Sequence, residues 1–150
     1  KRPMNTTLNV TLNVTFDNNL DPEMCNGIIK HISTWQHVIP AWAQSLHIWS
    51  DPALESVCQI TVNEPYRALT LALGPHWITE SANHSKIILH ELLHCYNVPL
   101  SSVALEAIEF ISGGTTEPVV KIAEKMIRDA LERCNNDLVG LIFDMEHARS

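Results

Sequence analysis

Residues 86–97, KIILHELLHCYN, constrain this chain more than any other stretch. Apolar residues fill most positions, which at helical pitch marks a helix buried over much of its circumference. Three polar residues interrupt the pattern. His90 and His94 stand four residues apart, about 40° around a helix, so both imidazoles can meet a single ion. Glu91 lies on the adjacent flank, where it can reach a water on that ion without ligating the metal itself. Burying two histidines and a carboxylate together without a ligand is expensive. The grouping therefore points to metal chemistry on a rigid rod, two ligands with a general base between them. It also demands a core for the remaining Ile and Leu side chains to enter.

The rest of the chain supplies that core. Leu8, Val10, Leu12, Val14 and Phe16 alternate with Thr and Asn over residues 7–16, the period of a half-buried strand. Asp21 followed by Pro22 is a helix start, and Ile28, Ile29, Ile32, Trp35, Val38 and Ile39 give residues 22–38 an apolar stripe ended by Pro40. The stretch near LHIW can continue as helix or enter a strand. SVCQITV (56–62) and RALTLAL (67–73) read as strands joined by NEPY, and HWIT (76–79) as a further extended piece. The metal-type helix follows, capped by Ser81 or Asn83 and ended by the residue before Pro99. A short helix over 101–112, stopped by SGG, and a last helix from Thr116 to about Cys134 complete the order. DLVGLIFDM adds a final turn or two. This is an α+β arrangement: a small mixed sheet of three to four strands packed on helices, with the HExxH helix followed by two C-terminal helices.

A third ligand is required, and three glutamates are available. Glu106 follows His94 by 12 residues, Glu109 by 15 and Glu117 by 23. Glu106 and Glu109 are nearly the only polar side chains on an apolar helix, whereas Glu117 stands at a helix start, where the helix dipole also favours a carboxylate. No histidine occupies the sixth position after His94, which argues against the H-E-x-x-H-x-x-G-x-x-H arrangement.

HELLH with a later glutamate resembles the gluzincin branch of the zincin metallopeptidases. The stretch from NEPYRALTLALGPHWITE through KIILHELLHCYNVPL, with the later EPVVKIAEKMI, is similar to small phage and bacterial metallopeptidases. The resemblance spans roughly residues 56–131. It implies a zincin-like fold and a bound Zn2+ held by His90, His94 and a glutamate. It further implies hydrolysis of a peptide or protein substrate, with Glu91 as base and then acid. LEAIEF resembles the glutamate-bearing helix of thermolysin-like enzymes, but its gap from His94 is shorter than usual there, so Glu117 is preferred over Glu106 as third ligand. The resemblance also makes HWIT the edge strand above the site, open to an added peptide strand. Trp77 is then a wall residue or, more simply, a core residue. Tyr96, Tyr66, His84 and His76 are the residue types on offer as oxyanion donors.

Length and composition fit this reading. A chain of 150 residues, 45% hydrophobic and 18% charged, is expected to form one soluble domain, residues 1–150. The net charge of -7, with no Lys/Arg cluster, argues against nucleic acid or an anionic membrane as partner. Four cysteines without a C-x-x-C pair exclude a zinc ribbon and fit reduced, mostly buried thiols. The sequons at Asn5, Asn9, Asn13 and Asn83 fit a polar strand and a helix cap as well as glycosylation. A cytoplasmic location in a bacterial or phage-infected cell is the expectation, and a binding or regulatory protein of the same fold with weak or no turnover is the alternative function.

Overall fold

The computed structural model describes residues 6–7, 12–113 and 118–149. The fold is α+β, and the chain divides into two compact units, Lys1–Cys95 and Tyr96–Ser150. The first unit holds one mixed sheet. Its strands are β1 (Thr6–Thr7), β2 (Asn13–Phe16), β3 (Ser45–Ser50), β4 (Cys58–Asn63) and β5 (Ala68–Leu73), in the spatial order β1-β2-β3-β5-β4.

The path through the sheet follows from local signals. Helix α1 (Pro22–Thr34) connects β2 to β3, which pair in parallel, as a helical crossover must. Its start was legible: the Asp21 carboxylate accepts from the backbone N–H of Glu23 and Met24, and Pro22 occupies the first turn. The helix stops before the expected residue 38, giving way to a 3₁₀ turn at Gln36–Val38. β3 pairs in parallel with β5, and β5 pairs antiparallel with β4. Among the described residues β4 is therefore an edge strand.

Alternation then sorts the two sheet faces. Val14, Phe16, Leu46, Ile48, Ile60, Leu69 and Leu71 are buried. Several of their alternates are polar and not buried, and Thr15, His47, Thr70 and Thr61 fall in one cross-strand row. Thr15 Oγ1 and His47 Nδ1 are 2.9 Å apart in that row.

Several expectations are corrected. Residues 7–16 are not one strand, because Thr6–Thr7 pairs antiparallel with Val14 and Asn13, and Leu8 and Val10 lie outside the described residues. A period of two does not tell one strand from two antiparallel ones. HWIT is not an edge strand but part of a 3₁₀ segment, Pro75–Asn83. Pro75 presets a helical φ, Trp77 N–H bonds the Gly74 carbonyl, and the Trp77 ring is buried. The metal-type helix does not end before Pro99. Helix α2 runs from His84 to Ser112 with Pro99 inside it, and the separate helix expected over 101–112 is its second half. Proline removes one bond, but restarting a helix would repeat the nucleation cost, and the Leu-, Ala- and Glu-containing sequence beyond it propagates well. Ser81 and Asn83, the expected caps of α2, lie inside the 3₁₀ segment, where Asn83 donates to the Glu80 carboxylate. One C-terminal helix therefore follows α2, not two.

That helix, α3, spans Pro118–Arg149 and absorbs the final turns expected as a separate piece. Its expected first residues, Thr116 and Glu117, lie outside the described residues. With the latter part of α2 it makes up the second unit. Gly113, at φ 85°, ends α2 in the left-handed conformation that glycine tolerates. Asn97 on α2 donates to the Asn135 side chain on α3, and Asn135 is almost fully buried. Among the described residues no helix is long and apolar enough to cross a membrane.

Gly74 joins β5 to the 3₁₀ segment under a tight constraint. A Cβ there would collide with the backbone carbonyl oxygen of Ser56 and crowd that of Leu54. Gly74→Ala is expected to destabilise the fold by about 2–3 kcal/mol, since backbone rather than a flexible side chain must yield. Urea unfolding of the two chains checks this, with the midpoint lowered and the slope unchanged.

Candidate metal site

The first three turns of α2 carry the site. Ile88, Leu89, Leu92, Leu93 and Cys95 are buried and fix the helix by its apolar face. The same arrangement leaves His90 and His94 half-buried at the margin. Their Nε2 atoms are 3.0 Å apart, with ring centroids separated by 4.8 Å and the planes at 75°. Two nitrogens on one tetrahedral zinc at about 2.05 Å would lie about 3.3 Å apart, so the pair is already near the span of a shared ion. One ligand atom from each of His90, Glu91 and His94 falls within 4.8 Å of the others. Among the described residues this is the one grouping of three such side chains. Its donor set and spacing suit a metal ion, and the His-Glu-x-x-His pattern on a helix beside a small mixed sheet is compatible with a zincin motif.

Glu91 is set more firmly than the sequence suggested. It is only 9% exposed, and its Oε2 accepts the backbone N–H of Ile60 at 2.8 Å. That amide belongs to β4, 31 residues earlier, so the carboxylate also fastens α2 to the sheet edge. Sequence reasoning missed Ile60 because the group involved is a backbone amide, which leaves no mark in residue type.

Two thiols share this corner. Burial pushes Cys95 up to about 12, with the Glu91 charge adding to the effect. Cys58 on β4 is raised for the same two reasons, burial first. Both are therefore protonated at neutral pH and poor metal ligands, in keeping with the expectation of reduced, mostly buried thiols. None of the four cysteines is in a disulfide, and Cys134 alone is exposed. Iodoacetamide at pH 8 is expected to label Cys134 alone in the native protein and all four thiols after denaturation, as read by intact mass.

The other residues singled out in the sequence are placed as follows. His84 stacks flat on Trp77, with centroids 3.7 Å apart, and its Nε2–H donates to the Trp77 carbonyl at 2.6 Å. Trp77 is a core residue, 2% exposed. The Trp35 indole N–H reaches Ser85, which ties the start of α2 to the end of α1. Burial, then the neighbouring His84 and Lys30, lowers the pKa of His31 beside this cluster. His76 and Tyr66 are exposed, and Tyr96 belongs to the second unit.

Glu106 is exposed and Glu109 half-buried, both on α2 itself with no turn separating them from the histidines. Glu117 lies outside the described residues. The structure thus brings together His90, Glu91 and His94 on the first turns of α2. No family model matches this chain, and neither a curated protein nor a solved structure matches it.

Proposed function

We propose that this protein is a zinc-dependent metallopeptidase of zincin type, acting in the cytoplasm on a peptide or protein substrate. The observation that supports it is the His90–Glu91–His94 group, two imidazoles at a shared-ion spacing with a buried carboxylate between them. Nitrogen and carboxylate donors in this number suit zinc, with a glutamate as the remaining ligand. Glu117 is the proposed third ligand, with Glu106 the alternative. Zinc held there supplies a Lewis acid for the scissile carbonyl and lowers the pKa of bound water from about 15.7 towards about 7.

The chain's own residues do the rest. His90 and His94 must be neutral at Nε2 to ligate, so metal binding competes with protons. Glu91 takes the proton of the attacking water and passes it to the leaving amine. Its burial excludes competing solvent, and its bond to Ile60 orients the carboxylate.

A second reading has its own observation. A buried glutamate fastened to a strand amide also serves as a structural tie, which suits a metal-binding protein without turnover. Two measurements separate the readings: zinc content of the purified and reconstituted protein, and cleavage of a fluorogenic peptide library. One zinc per chain with Glu91-dependent cleavage supports the peptidase. One zinc without cleavage supports the binding protein. Protein that takes up no zinc removes both.

A further inference from the structure

We infer that the backbone amide of Ile60, on edge strand β4, is the positioning group for Glu91. This inference rests on the peptidase reading. Three facts carry it. First, the bond is short at 2.8 Å and buried, so it is a charge-assisted contact shielded from water. Second, it spends an amide that the sheet does not use. Ile60 stands opposite Leu71 in the antiparallel β4–β5 pair, and its N–H turns outward to Glu91. A free outward amide at that point would be a buried unsatisfied donor. Third, the bond engages one carboxylate oxygen, Oε2. It thereby opposes the rotation of the carboxylate that would exchange the two oxygens.

The sheet edge thereby sets the orientation of the base. Glutamate has three side-chain torsions, and on an unanchored helix face it would sample several rotamers, each misplacing the proton acceptor by an ångström or more. A displacement of that size costs about a hundredfold in rate.

The test replaces the Ile60 amide by an ester, using the α-hydroxy acid counterpart of isoleucine in the full chain. Every side chain is kept and one N–H is lost. The expected result is a folded protein that still binds one zinc, with kcat on the fluorogenic library lowered about tenfold to a hundredfold and KM unchanged. With cobalt in place of zinc, the visible band is expected to change in its pH dependence as it does in Glu91→Gln. The ester added to Glu91→Gln is expected to cause no further loss of kcat.

Wild-type kcat and an unchanged cobalt band in the ester chain would overturn the inference while leaving the peptidase reading intact, provided Glu91→Gln is inactive. Full activity in Glu91→Gln would overturn both. Should the ester chain not fold, the Ile60 amide proton in 15N-labelled protein decides. It is expected far downfield in the wild type and upfield of that in Glu91→Gln, and an unmoved resonance overturns the inference.

Discussion

Glu91→Gln is expected to lower peptide hydrolysis by about 10²- to 10⁴-fold while leaving fold and zinc content intact. The substitution is chosen for what it keeps. Glutamine retains a side-chain oxygen, so the Ile60 N–H at the β4 edge still finds an acceptor. It loses the basic carboxylate, so no group takes the water proton. Glu91→Ala is the instructive contrast. It strands the Ile60 amide beside a small cavity and is expected to cost about 1–3 kcal/mol of stability in addition to activity. Thermal unfolding, zinc analysis and hydrolysis measured on both variants distinguish a base that is also a tie from a tie alone. If Glu91→Gln cleaves as fast as the wild type, Glu91 is not the base.

The histidine pair carries the second large effect. His90→Ala or His94→Ala is expected to abolish stoichiometric zinc binding, because each removes a ligand from an ion held by few. The fold should survive, since both side chains lie at the half-buried margin and the apolar face of α2 is untouched. Zinc that binds only the native state should stabilise the wild type by about 2.7 kcal/mol at a free concentration one hundred times its Kd. Either variant should lose that stabilisation completely. Calorimetric scans with and without zinc, at fixed pH, read both effects. A zinc-dependent rise in Tm retained by both variants would place the ion elsewhere.

Much of the first unit was legible because its signals are local. The Asp21–Pro22 helix start, the alternation of β4 and β5, and the four-residue spacing of the histidines each depend on a few neighbouring residues, and each survives in the fold. The errors share a different cause. HWIT has strand-forming residues, but Gly74-Pro75 before it and the buried Trp77 decide its conformation. The helix end before Pro99 was a sound local expectation, overridden by propagation through α2. The Glu91–Ile60 bond spans 31 residues and involves a backbone group, so neither composition nor spacing encodes it. The third ligand was open in the sequence for a related reason: three glutamates of suitable type stand downstream, and choosing among them is a question of tertiary placement.

The buried amide pair in the second unit has a consequence for how its two helices align. Asn97 and Asn135 meet with Asn135 almost fully buried, and Val139, one turn along α3, is itself buried. Sliding α3 by a turn would break their bond and bring Val139 towards the Asn97 amide. Leucine-like contacts would tolerate such a slip with little loss, whereas a lone polar couple does not. These two side chains therefore act as an index mark, admitting one alignment of α3 along the second half of α2 and penalising its neighbours.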